Sequence, residues 1–306
     1  MNRIAHISTL PFLLGSLFAF VGAILFSSKA IFVKLGYGYP IGPVSLLTLR
    51  MLFALPFFAV MAYLKRPPSA KDRLGRKDAL SILLLGLAGF YLASLFDFIG
   101  LTYITASLER LILFVYPTLV VIFDSIYNRR PIQRIQYLAL VFTYAGLFYA
   151  FYDRIELGGQ NQFLLGGLWI LGAALSYSIY MVGSGRLIPK IGPMRYTAHA
   201  MIAAFVGVVT HYLLFGEGDL FQHSPRVYGI AFAIAIIATV IPLLLFSEAI
   251  ARIGPSNTAI IGSIGPISTM LMAWYYLEEE ITYNQVIGTF LVLGGVLYIS
   301  LGQKRR

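Results

Sequence analysis

Eight charged side chains stand inside or at the ends of apolar runs: Lys29, Lys34, Arg50, Asp97, Glu109, Arg110, Asp124 and Glu248. A charge at the centre of a lipid-spanning helix costs about 2.5–3.5 kcal/mol on insertion scales, so it is kept where it pairs or lines a polar cavity. Such groups offer ion pairing, solute binding and proton transfer. Bond-making chemistry has no matching constellation. HExxH, GxSxG, P-loop and CxxC patterns are absent, and so is cysteine. No catalytic or metal-ligating residue is assigned, and no cofactor is expected.

The elements that must position these charges are read from hydrophobicity. Of 306 residues, 58% are hydrophobic and 12% charged, about half the charged share of an ordinary soluble domain. Ten apolar runs approach the roughly 20 residues that cross a bilayer: 12–35, 43–64, 79–98, 103–126, 132–151, 163–184, 194–215, 226–248, 256–277 and 282–301. The first is not a cleaved signal segment, because it continues to Leu35 and has a counterpart later in the chain. The pattern predicts an all-α membrane protein with ten transmembrane helices and no soluble domain.

The net charge of +10 is explained by topology rather than by nucleic acid. Lys and Arg concentrate in alternate loops, around Lys65–Lys77, Arg129–Arg134, Arg186–Arg195, Arg252 and Lys304–Arg306, whereas Asp153, Glu156, Glu217, Asp219 and Glu278–Glu280 mark the opposite side. The bias places both termini in the cytoplasm of a multi-pass plasma membrane protein, the inner membrane if the cell is bacterial.

The halves repeat at an offset of about 149–150 residues. Gly22, Ser28, Gly42, Pro43 and Ala54 match Gly172, Ser178, Gly192, Pro193 and Ala204; Ser107, Pro117, Gln136 and Gly146 match Ser256, Pro266, Gln285 and Gly295. Residues 1–151 and 163–302 are therefore expected to form two five-helix repeats. An odd helix number inverts the second repeat relative to the first, an arrangement common in secondary transporters.

Depth along the spans gathers the charges. At about 1.5 Å rise per residue, Lys29 and Lys34 fall in the outer half of span 1, Arg50 about 10 Å below the outer surface, and Glu109 and Arg110 about 9–10 Å deep in span 4. Asp97 falls at the outer end of span 3, where it could belong to a frayed end. Lys29 and Glu109 are expected to pair, directly or through solute. Glu109 shares a stripe with Ala106, Leu113 and Tyr116, and Arg110 one with Phe114 and Pro117, so the two charges must face different neighbours. Glu109, then Asp97, are the candidate proton carriers. Arg50 and Lys34 could equally brace the fold or snorkel, and Asp124 and Glu248 are placed at the interface.

Pro117 and Pro266 are expected to kink spans 4 and 9 mid-helix. With Gly262 and Gly265 they are candidate hinges. Tyr116 and Tyr177 are candidate substrate contacts, with Tyr91 and Tyr180 weaker; His199 and His211 are not proposed as proton carriers.

The segment "ARIGPSNTAIIGSIGPISTMLMAWYYLEEEITYNQVIGTFLVLGG", together with Lys34 and the Arg50 stretch "LTLRMLFALP", resembles EamA-type members of the drug/metabolite transporter superfamily. The resemblance covers nearly the whole chain. It implies an inverted-repeat fold, a cavity lined mainly by spans 1, 3, 4, 6, 8 and 9, and export of metabolites or drug-like compounds by alternating access. The chain departs from the family at Phe26–Ser27 and Lys29, at Glu109 and Arg110, and at Arg130. The expected partners are the lipid bilayer and a small amino acid-like, anionic or zwitterionic solute, with protons as the candidate coupling ion. The alternatives are an intramembrane lipid- or metabolite-modifying enzyme and a passive channel.

Overall fold

The computed structural model describes residues 9–65, 74–128, 134–156, 160–216, 218–262 and 264–303. Arg3, Arg66, Lys71, Arg73, Arg129, Arg130, Glu217 and Lys304–Arg306, which carry part of the charge bias, lie outside them.

The described residues form helices and short connections. In chain order these are α1 (Thr9–Gly36), α2 (Pro43–Leu64), α3 (Arg76–Gly100), α4 (Ala106–Leu113), α5 (Tyr116–Asn128), α6 (Arg134–Glu156), α7 (Gln160–Ile191), α8 (Pro193–Phe215), α9 (225–262), α10 (Gly265–Leu277) and α11 (Tyr283–Gln303). Helices α4 and α5 together make one apolar span, Ala106–Tyr127. Seven segments are long and apolar enough to cross a bilayer, among the described residues.

Helix α9 hides a reversal. A Cβ on Gly262 would lie 3.9 Å from the Phe246 ring, whereas sixteen residues of straight helix would separate them by about 24 Å. Ile261 also packs on Ala249 and Ile253. The chain therefore doubles back between these points, and the end of α9 joins α10 as the ninth of ten helical stretches among the described residues. The expected loop at 249–255 is helical by hydrogen bonding, because both arms close their turns up to the bend.

The prolines correct the expectation of mid-helix kinks. Helix α4 ends at Leu113 and α5 begins at Tyr116, while α10 restarts at Gly265. Pro117 and Pro266 thus occupy first turns, where an amide hydrogen has no intrahelical acceptor and proline is tolerated. The two breaks share one hydrogen-bond pattern. Val115 N donates to Ile112 O and Leu119 N to Val115 O; Ile264 N donates to Ile261 O and Ser268 N to Ile264 O.

Two π-helical segments, Leu87–Leu92 in α3 and Ile236–Val240 in α9, also sit at matching positions. The second precedes Pro242, and Thr239 Oγ1 donates to Ile234 O five residues back. Other boundaries shift: α7 extends outward, from Gln160 to Ile191, which puts Arg186 and Lys190 in the helix, whereas the start of span 4 moves inward to Ala106.

Small residues set the packing. Gly15, Ala19 and Gly22 let α1 lie against Ile253, Ala249 and Leu245 of α9, a close approach available only to small side chains. Gly89 is covered by the Tyr180 ring, and Gly146 and Gly288 bring α6 and α11 into backbone contact. The packed pairs are α1 with α9 and α10, α7 with α3 and α5, α2 with α8 and α9, α8 with α3, and α6 with α11.

Candidate functional site

The charged residues predicted to share a layer come from α1, α2, α3 and α4. Lys29 Nζ lies 2.6 Å from Asp97 Oδ2 and 3.8 Å from Glu109 Oε1. All three side chains are buried, and Glu109 is fully so. Asp97 is not at a frayed end: α3 continues to Gly100 and the residue is 1% exposed. Sequence depth alone matched Lys29 to Glu109; the fold adds Asp97 as the closer partner. Among the described residues the two carboxylates share Lys29 as their salt-bridge partner.

Arg110 turns away from this triad, as helical spacing requires. Its Nη2 donates to Ser27 Oγ at 3.2 Å, and its guanidinium lies 5.0 Å from the Phe26 ring centroid. Ser27 Oγ is also 2.7 Å from Ala23 O and 3.1 Å from Gly265 O, so α1 is tied to the start of α10. A similar bond exists in the second half, where Ser178 Oγ donates to Tyr116 O at the start of α5, although the repeat register pairs Ser178 with Ser28 rather than Ser27. Both serines meet the carbonyl that precedes a helix-restarting proline. Gly262 and Gly265 flank the α10 break, and Gly265 leaves space that Arg110 occupies.

Arg50 is buried between α3 and α9. Its Nε donates to Thr239 Oγ1 at 3.2 Å and its Nη1 to Ser94 Oγ at 3.3 Å, with the Phe98 ring 5.6 Å away. Thr239 belongs to the π-helical segment of α9. Lys34 lies nearer the end of the bundle and donates to Leu101 O at 3.0 Å. There it lines a recess of about 370 Å³ with Tyr37, Gly38, Ile41, Leu101 and Thr102. Glu248 pairs with Arg252 at 3.2 Å on an exposed helix surface, which fits its interfacial placement.

Tyr116 and Tyr177 meet edge to face, with centroids 5.1 Å apart, and Tyr177 stacks on Tyr180 at 5.6 Å. Tyr91 is drawn to α8 instead, its hydroxyl 2.7 Å from His211 Nδ1.

Several contacts had no readable sequence signal. Ser27, Ser94 and Thr239 are neutral residues that become partners only through packing. Glu279 is the largest such case. Its carboxylate accepts bonds from Ala106 N at 2.7 Å, Ser107 N at 3.2 Å and Ser107 Oγ at 2.8 Å. It caps the first turn of α4 from the loop after α10, in the other half of the chain. Family resemblance singled out Glu279 but gave it no partner.

Among the described residues no three His, Cys, Asp or Glu groups assemble as a metal site. Five charges are buried in the middle of the bundle, Lys29, Arg50 and Arg110 against Asp97 and Glu109. The arrangement is suited to exchanging partners: one lysine serves two carboxylates, and both arginines are held by hydroxyls rather than by acids.

Comparison with known proteins fits this architecture. The chain is similar to the uncharacterized transporter YcbK of Bacillus subtilis (strain 168), with 32% identity over 301 residues covering 95% of this chain and 93% of the relative. It is 23% identical to the uncharacterized inner membrane transporter YicL of Salmonella typhimurium over 84% of this chain and 85% of the relative. A solved crystal structure aligns with a TM-score of 0.68 at 16% identity, covering 95% of this chain and 98% of that one, which establishes likeness of fold. The model of the EamA-like transporter family matches residues 13–152 and 164–301. The chain therefore belongs to the EamA-like transporter family.

Proposed function

We propose that this protein is a secondary active transporter that exports a small anionic or zwitterionic metabolite, or a drug-like compound, by alternating access. In this reading residues 1–151 and 163–302 are two inverted repeats in a bacterial inner membrane, with both termini cytoplasmic. The observation that carries it is the buried charge centre at the junction of the two sets of helices.

The packing supports the inverted repeat. Exchanging α1, α2, α3, α4/α5 and α6 for α7, α8, the first arm of α9, its second arm with α10, and α11 returns the same packed pairs. The matching helix breaks and π-helical segments obey the same exchange. Two similar halves can trade conformations, which is the physical basis of alternating access. In the described state Lys34, Tyr37 and Glu279 join elements at the end assigned to the outside. Opening that end requires those bonds to part.

The triad would bind or couple. Glu109, fully buried and the more distant partner of Lys29, is the group proposed to carry a proton. Arg50 and Lys34 brace or guide the solute, and Tyr116 and Tyr177 line its path. The hinges proposed are Pro117, Gly262, Gly265 and Pro266. Reconstitution in liposomes tests the reading. Saturable counterflow of a loaded solute supports a carrier; non-saturable flux, or product formed without transport, overturns it in favour of a channel or an enzyme.

A further inference from the structure

Arg110 is a buried cation with no carboxylate within salt-bridge distance among the described residues. It is 7% exposed, and among the described residues its Nε has no hydrogen-bond partner and its one bonded contact is the neutral hydroxyl of Ser27. A cation in that state is costly in a low-dielectric site unless an anion joins it.

The guanidinium also lies against the start of a helix. A Cβ at Gly265 would be 3.0 Å from Arg110 Nη2 and 3.2 Å from Ser27 Oγ. Gly265 opens α10, a helix of 13 residues. The first turn of a helix leaves amide hydrogens without intrahelical acceptors and carries the positive end of the dipole. The guanidinium is in contact with the opening residue of α10, and Glu109 is the carboxylate within its electrostatic range. Broken transmembrane helices that present their amino ends to anionic solute groups are a known use of this geometry.

Charge balance narrows the ligand. The three buried cations Lys29, Arg50 and Arg110 outnumber the carboxylates Asp97 and Glu109, so an anionic solute suits the centre better than a cationic one. The surroundings of Arg110 are aromatic: Phe26 stacks at 5.0 Å, and Tyr116 and Tyr177 lie within electrostatic range. The position matching Arg110 in the other half is Ala259, so the fold itself does not call for a cation here.

We propose that the transported solute is a monocarboxylate with an apolar or aromatic body, whose carboxylate binds Arg110 beside the amino end of α10 at Gly265. This rests on the transporter reading above and names the solute class for the same site.

The test uses the full chain in lipid nanodiscs and one aromatic scaffold in four charge states: benzoate, phenylalanine, benzamide and benzylamine, with sodium chloride as a fifth probe. Benzoate is expected to raise the thermal unfolding midpoint saturably, phenylalanine weakly, and the others not at all. Arg110→Gln is expected to weaken benzoate at least tenfold, and Arg110→Lys to retain part of the binding. The assignment is overturned if benzoate gives no shift, if its shift is undiminished in Arg110→Gln, if chloride reproduces it, or if phenylalanine matches it. Should Arg110→Gln fail to fold, the charge series on the natural chain decides alone. Liposome counterflow separates this proposal from the one beneath it. Saturable exchange of benzylamine but not benzoate sinks the monocarboxylate and leaves transport standing. Benzoate bound at Arg110 without exchange of any solute sinks transport and leaves the binding site standing.

Discussion

The Lys29 triad makes a quantitative prediction. At an effective dielectric of about 20, attraction at the two observed distances of 2.6 and 3.8 Å comes to about 6 and about 4 kcal/mol. Desolvation and repulsion between the carboxylates offset much of this. What survives is the ranking and the asymmetry of removal. Lys29→Met leaves two buried carboxylates with no cation between them, and breaking such a pair typically costs about 3–5 kcal/mol. Asp97→Asn leaves Lys29 its second partner and should cost less. Pairing the substitutions should show stronger coupling for Lys29 with Asp97 than for Lys29 with Glu109. The neutral triple variant Lys29→Met/Asp97→Asn/Glu109→Gln should recover most of the stability, because replacing all members removes the desolvation penalty together with the attraction. It should nevertheless lose transport. Unfolding titrations in mixed micelles, analysed as double-mutant cycles, give the couplings, and counterflow gives the activity. A Lys29→Met cost under about 0.5 kcal/mol, or a Glu109 coupling equal to that of Asp97, would refute the reasoning.

Other outcomes follow from single contacts. Glu279→Ala removes three hydrogen bonds to the first turn of α4, so the end assigned to the outside should open more often. Because the natural chain has no cysteine, Leu101→Cys can report this as faster labelling by an impermeant maleimide; an unchanged rate counts against the latch. Pro117→Ala and Pro266→Ala should each change stability by less than about 1 kcal/mol, since both prolines occupy first turns, whereas an interior proline typically perturbs its helix by about 3 kcal/mol. A larger change for either proline would restore the mid-helix reading. Gly89→Ala places a Cβ 2.3 Å from Cγ of Tyr180, and overpacking of this kind costs about 1–3 kcal/mol. A thermal midpoint equal to that of the natural chain would contradict it. If Glu109 carries the coupling proton, Glu109→Gln should abolish acceleration of export by a pH gradient while sparing solute exchange, which liposomes with and without a gradient can measure.

Much of this protein was legible in one dimension. Long apolar runs announce helices because lipid offers the backbone no other partners. The two matching helix breaks could be read from Pro117 and Pro266, and the similar depth of Lys29 and Glu109 followed from helical rise alone. That Glu109 and Arg110 face apart also needed only the helical angle. What the tertiary structure decided were the partners. Asp97 read as a residue near a helix end, because the sequence does not fix where α3 stops. Packing against α1 put it 2.6 Å from Lys29. Pro117 and Pro266 read as kinks, because a proline in an apolar run looks the same whether a helix bends or restarts. Ser94 and Thr239 gave no signal, and Ser27 and Glu279 no partner, because a hydroxyl or a carboxylate acquires a role only when another helix brings a donor or acceptor to it. Periodicity is a local property of the chain and survives in the sequence; the contacts among α1, α3, α4 and α10 join residues as far apart as Ser27 and Gly265 and exist only once the helices are packed.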